Sequence, residues 1–282
     1  MPILLEKVAG RDKHQRMKNS TNQTLNDWVN LDLYALDDPS QIAKLKAGLD
    51  RDGVVTLPGF LRDRARLSLI DEANSESENA FFTTATHNVY LTPSDRSQAA
   101  DHVINRQVAS SKGCITADQI PADSGLQTLY CDTQFQAFLA LVLDEEKLYP
   151  YADPQLSINV HYAHDGQELG WHFDNSSFAI TLLLQAPKGG GQFEYVPNLR
   201  DSAAGEMNFV GVTDVLDGTS PVQTLEMKPG TLVLFRGRDS MHRVTPTVGD
   251  QTRLLVVLAY NDAPGVSLSK AARMTFYGRV GV

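Results

Sequence analysis

Apolar positions recur at helical spacing in the first half of the chain and at strand spacing in the second. In "DDPSQIAKLKAGLDRDG", Ile42, Leu45 and Leu49 keep the interval of one helix face, Ser40 offers a start and Gly53 a stop. "VVTLPGF" reads as a short strand, residues 62–79 as a charged surface helix, and "LQTLYCDTQFQAFLALVLD" (126–144) as a stronger helix. Helices are thus expected to dominate as far as about residue 154.

Beyond about residue 155 come short β-rich runs: "LSINVHY", "FAITLLLQ", "GQFEYVP", "GTLVLFRG" and "RLLVVLAYN". Turn residues such as Gly189-Gly190-Gly191 and Pro229-Gly230 separate them, which predicts a barrel or sandwich. The fold class is therefore mainly β with flanking helices (α+β). Residues 1–26 are polar and aperiodic and read as an arm. Residues 27–282 read as one domain, with its β core over about 155–262. Residues 200–226 interrupt the strand pattern with a polar stretch, expected to be an insertion or lid over an active site.

Composition narrows the class. With 42% hydrophobic and 21% charged residues among 282, the chain is an ordinary globular one. A net charge of -9 argues against nucleic acid or an anionic membrane as partner, so a small-molecule substrate is expected. Nothing in the composition speaks to oligomeric state. No apolar run has signal-peptide or membrane-span length, and the two cysteines, Cys114 and Cys131, suggest no zinc motif or disulfide framework; a cytoplasmic protein with reduced thiols is expected.

The chemistry concentrates in "GWHFDNSSF" (170–178). On an extended strand His172 and Asp174 share a face and converge. A single His-x-Asp pair is weak evidence, but the one later His in the chain, His242, follows directly on the predicted strand "TLVLF". Two His and one carboxylate on one face of a metal is the donor set of non-haem Fe(II) oxygenases, which leaves open positions for an oxidisable partner and O₂. Eleven residues further on, Arg253 opens the apolar strand "RLLVVLAY". A buried arginine needs an anionic partner, and its planar fork matches a carboxylate.

Through "WHFD", "MHRV" and "TRLL" the chain resembles the Fe(II)/2-oxoglutarate-dependent oxygenases. "DGVVTLPGF" is similar to their lead-in strand, and "GWHFDNSSFAITLLLQAPKGGGQFEYVPNLR" resembles a bacterial branch that hydroxylates or halogenates free amino acids and related small molecules. The resemblance implies a double-stranded β-helix (jelly-roll, cupin-like) core in which His172, Asp174 and His242 hold Fe(II) and Arg253 holds the far carboxylate of 2-oxoglutarate. O₂ would complete the reactants, with succinate and CO₂ released as an unactivated C–H bond of a small polar substrate, such as a free amino acid or derivative, is hydroxylated. Halogenating relatives carry a small residue in place of the carboxylate, so Asp174 points to hydroxylation; desaturation or cyclisation uses the same triad. Several branches place Ser or Thr two residues after the arginine. Here that position is Leu255, and Tyr162 or Thr181 is the expected substitute.

Asn175, Arg236 and Arg106 are expected at the substrate, with Asn105, Phe276 and Tyr277 as weaker contributors. His161 lies on an alternating strand, "SINVHY", while His164-Asp165-Gly166 reads as a turn and Trp171 as structural. Two competing readings remain at this level: a non-catalytic cupin-like binding protein, which leaves Arg253 unexplained, and a zinc hydrolase. The latter would require a catalytic glutamate beside the ligands, and the spacing of Glu194 does not supply one.

Overall fold

The computed structural model describes residues 24–268 and 270–279; most of the expected arm, residues 1–23, lies outside them. Helix α1 (Leu25–Trp28) buries Leu25 and Trp28, so the folded domain already includes the last residues assigned to that arm. Helix α2 (Pro39–Asp52) is capped by Asp38, whose side chain accepts from the Ser40 backbone N–H, and stops at Gly53 in the left-handed conformation (φ 70°). Helix α3 (Asp63–Ser75) is the surface helix. The helix expected over 126–144 is two, α4 (Gly125–Cys131) and α5 (Thr133–Leu143). Asp132 breaks the run because its side chain accepts from Phe135 N–H and caps the second helix instead of continuing the first.

Eleven strands form the main sheet: β1 (Val54–Leu57), β2 (Phe81–His87), β3 (Val108–Thr116), β4 (Ile158–Ala163), β5 (Leu169–His172), β6 (Ala179–Gln185), β7 (Phe193–Val196), β8 (Gln223–Leu225), β9 (Leu232–Phe235), β10 (Met241–Val244) and β11 (Arg253–Leu258). Their order is β1-β9-β6-β11-β4-β3-β5-β10-β7-β8, with β2 paired to β3. The antiparallel ladder folds into two layers of a jelly-roll. A long layer runs from β1 to β3 and a short one from β5 to β8, with the cavity between them.

The β2–β3 hairpin departs from the helical first half read in the sequence. "FFTTATH" places no buried residue along its seven positions, so it lacks the half-buried alternation that marks a strand. Cross-strand pairing from Phe81 with Cys114 to His87 with Val108 holds it in place.

Helices α1 to α5 pack on the outer side of the long layer around Phe60, Phe135, Phe138 and Leu139, all less than 1% exposed. The 200–226 segment carries α6 (Phe209–Leu216), whose Val212 and Val215 pack with Trp171, Phe173 and Met241. Those three alternate with His172, Asp174 and His242, so α6 covers the outer face of the short layer, away from the cavity. The expected lid is a back support. Helix α7 (Lys270–Tyr277) instead packs on β2 and β3 and places Phe276 and Tyr277 in the cavity wall. Among the described residues no helix is long and apolar enough to cross a membrane.

Candidate metal and cosubstrate site

His172 ends β5 and pairs in register with His242 on β10, which puts the two rings side by side with centroids 4.2 Å apart. Asp174 lies just past the strand end, where its backbone N–H donates to the Gly237 carbonyl at 2.9 Å. Its Oδ1 is 3.7 Å from His172 Nε2 and 3.5 Å from His242 Nε2. One ligand atom from each residue lies within 4.8 Å of the others, close enough to share one ion.

Both histidines are oriented the same way. His172 Nδ1 lies 2.8 Å from the Gly170 carbonyl and His242 Nδ1 3.0 Å from that of Ser240. A carbonyl only accepts, so each Nδ1 carries the proton and each Nε2 keeps its lone pair toward Asp174. Burial, then the neighbouring His242, pulls the His172 pKa down, which keeps the ring in its metal-binding neutral form. Burial pushes the Asp174 carboxyl up, whereas His242 and His172, once protonated, and Lys112 pull it below its usual value. Phe235 packs edge-on to the His242 ring at 4.8 Å and Phe193 stacks on it at 5.4 Å.

Gly237 was not singled out from the sequence, yet a Cβ there would sit 1.9 Å from Asp174 Oδ2. Only glycine lets the carboxylate occupy this position. The signal in the sequence is Gly237 between two arginines, at the turn before the distal histidine.

The triad opens into a cavity of about 370 Å³, of the size that small-molecule sites take. Arg253 lines it and is 4% exposed. Burial pulls its pKa down to about 10, and its Nη2 has no hydrogen-bond partner. A buried guanidinium with an orphan donor facing a cavity is the complement of a carboxylate. The residues thus fit both absent groups: a facial His-His-Asp set for Fe(II), and an anion clamp for the far end of 2-oxoglutarate.

Thr181 lines the same cavity, on β6 beside β11. Tyr162 does not serve as the expected second hydroxyl. It faces the opposite side of β4, is 1% exposed, and donates to the Ala73 carbonyl of α3 at 2.6 Å. Arg236 is also displaced from its expected role, since its guanidinium donates to Asp50 at 2.6 Å on the surface. Arg106 pairs with Asp217 of the α6 segment at 2.7 Å. Neither arginine lines the cavity. Asn175 lies in the wall of a smaller chamber of about 170 Å³ that shares Asp174, Asn159, Tyr151 and Tyr277 with the larger one. Asn105 is occupied with the Asp95 and Ala99 backbone. His164 lies in a turn, where its backbone N–H donates to Gln167 Oε1, and its ring stacks on Phe82.

The family described as Halogenase D matches residues 37–274. No curated protein matches the sequence. Among solved structures the chain is similar to SnoN, a non-haem α-ketoglutarate-dependent epimerase of nogalamycin biosynthesis. The identity is 17%, the TM-score 0.56, and the match covers 80% of this chain and 82% of that one. It is similar to SnoK, the carbocyclase of the same biosynthesis, at 14% identity and TM-score 0.56, over 82% and 89% of the two chains. A 2OG-Fe(II) oxygenase family oxidoreductase from Burkholderia pseudomallei matches at 15% identity and TM-score 0.50, over 81% and 94%. At these identities the three establish the shared jelly-roll.

Proposed function

The chain belongs to the Halogenase D family within the Fe(II)/2-oxoglutarate oxygenases, and from that premise we propose that it hydroxylates an unactivated C–H bond of a small polar substrate, an amino acid or amino-acid derivative. What carries the reading is Asp174. The family's name speaks of halogenation, but here a carboxylate stands beside the two imidazoles and closes the position that a halide would need. When bound, iron and 2-oxoglutarate would activate O₂, the oxidant: one oxygen atom would enter succinate as the cosubstrate loses CO₂, and the other the substrate C–H bond.

The protein's part is placement. His172 and His242 present Nε2, fixed by their Nδ1–H bonds to backbone carbonyls, and Asp174 is held over Gly237. Arg253 orients the cosubstrate from the far wall, with Thr181 nearby as the hydroxyl partner in place of Tyr162. Apolar side chains, Leu255, Val257, Phe193 and Phe235 among them, exclude water from the oxidation. Asn175 and Asn159 offer neutral hydrogen-bonding groups for substrate. Among the described residues lining both chambers Asp174 is the one acid, so a free ammonium group would find no other anionic partner. This favours a derivative whose amino group is masked.

Succinate formation with Fe(II), ascorbate and 2-oxoglutarate, screened against free and N-acylated amino acids, tests the proposal. A stimulating substrate should yield a product heavier by one oxygen atom, with the acylated series ahead. A product lighter by two hydrogens would assign desaturation or cyclisation instead, and a chlorinated product would overturn the role given to Asp174.

A further inference from the structure

The cavity holds a second cation that the site described above does not use. Lys112 of β3 lines it, and its Nζ donates to His161 Nε2 at 2.9 Å. Burial, Lys112 and Arg253 together hold the His161 pKa well below its usual value, so this ring is a neutral acceptor that cannot balance the ammonium. Among the described residues Lys112 makes no ion pair. Desolvation lowers its own pKa, and Cys114 and then Asp174 lie near enough to oppose that shift.

Lys112 and Arg253 rise from different strands of the long layer. Arg253 on β11 pairs with Ala163 of β4, and continuing the β3–β4 register from Gly113 with Tyr162 sets Lys112 opposite the same Ala163. The two side chains therefore leave the sheet on one face, from backbones two strand spacings apart, roughly 10 Å. On its other side β3 pairs with β5, the strand that ends in His172. Lys112 thus lines the wall formed by β2 and β3, in the same cavity as the triad and within electrostatic reach of Asp174.

Charge balance then decides what it awaits. An Fe(II) ion held by one carboxylate and two neutral imidazoles keeps a single positive charge. A dicarboxylate cosubstrate and Arg253 bring that group to neutrality. Among the described residues Lys112 is left in the cavity wall with no ion-pair partner of its own, a costly arrangement for a cation unless an anion arrives.

We propose that Lys112 is a substrate-binding residue that receives a carboxylate of the substrate, and so selects a carboxylic acid over its neutral amide. This rests on the Fe(II)/2-oxoglutarate reading, and it narrows the substrate class to small acids whose carboxylate lies on the β2–β3 side of the metal. A charge-assisted contact of this kind is worth roughly tenfold to a hundredfold in affinity.

The experiment uses the full chain loaded with Mn(II) and saturating 2-oxoglutarate, with acetate and acetamide as probes and the paramagnetic relaxation of their methyl protons as readout. The wild type should relax acetate saturably and acetamide hardly at all, and Lys112→Met should lose the acetate effect. The 2-oxoglutarate affinity of Lys112→Met should match the wild type, which also reports that the variant is folded. Equal acetate relaxation in both proteins, or none in the wild type, would overturn the proposal. So would a weakened 2-oxoglutarate affinity in Lys112→Met, which would reassign the lysine to the cosubstrate. If the wild type binds no 2-oxoglutarate at all, it is the cosubstrate reading that has failed.

Discussion

Replacing Arg253 with Met should stabilise the protein without cosubstrate and weaken cosubstrate binding. The guanidinium is 4% exposed, has an orphan Nη2, and its pKa falls from 12.5 to about 10 for the single reason of burial. At about 1.4 kcal/mol per unit, that fall corresponds to a penalty of about 3 kcal/mol on the charged form. The figure is an upper bound for what Met would recover, because a thioether fills the space imperfectly. Even a third of it is a rise of about 2 to 4 °C in Tm for a domain of this size. In the loaded protein the sign reverses. A bidentate, charge-assisted contact to the far carboxylate is lost, and removal of one partner of a buried pair costs about 3 to 5 kcal/mol, or about two to nearly four orders of magnitude in Kd. Differential scanning fluorimetry with and without 2-oxoglutarate reads both effects in one experiment. The wild type should gain stability with ligand, whereas the variant should start higher and gain little. A variant that melts lower without ligand, or that binds 2-oxoglutarate like the wild type, would refute the assignment of Arg253 as an unpaired anion clamp.

Three further outcomes follow from the same geometry. Gly237→Ala should leave the fold intact but drive Asp174 from its place, lowering Fe(II) affinity about 10- to 100-fold in a metal titration, as supporting residues of metal sites do. Phe138→Ala, in the fully buried core beneath α5, should cost about 3 to 5 kcal/mol in urea denaturation and leave the iron site's affinity unchanged. His161 is held neutral in the folded state, whereas the unfolded ring takes a proton near pH 6.5, so metal-free stability should fall as pH drops below that value. The slope should approach about 1.4 kcal/mol per pH unit, and His161→Gln should flatten its share in melts between pH 7 and 5.

The metal-binding pattern was legible because its parts are local. His172 and Asp174 are two apart and share a strand face, while the resemblance of "MHRV" and "TRLL" to the Fe(II)/2-oxoglutarate-dependent oxygenases supplied His242 and Arg253. What escaped depends on contacts between distant segments. Tyr162 and His161 are neighbours, and which of them faces the cavity is set by α3, whose Ala73 carbonyl takes the tyrosine hydroxyl. Arg236 and Arg106 have typical surface partners, Asp50 and Asp217, 186 and 111 residues away, and no periodicity reveals them. Lys112 and Gly237 were invisible for related reasons. Strand β2 has no buried residue and β3 is buried only from Gly113 onward, and the need for glycine at 237 arises only once Asp174 is folded against it. The 200–226 segment was recognisable as an insertion, but its destination is fixed by Val212 and Val215 meeting the outward residues Trp171, Phe173 and Met241.

The most direct test is an anaerobic titration of the metal-free protein with Fe(II) and then 2-oxoglutarate, followed by visible absorption and iron content, in the wild type and in His242→Ala. The account predicts one iron per chain and a saturable charge-transfer band that appears only when both are present, with metal and band lost in the variant. Iron retained equally by His242→Ala, or bound iron that yields no band with 2-oxoglutarate, would contradict it.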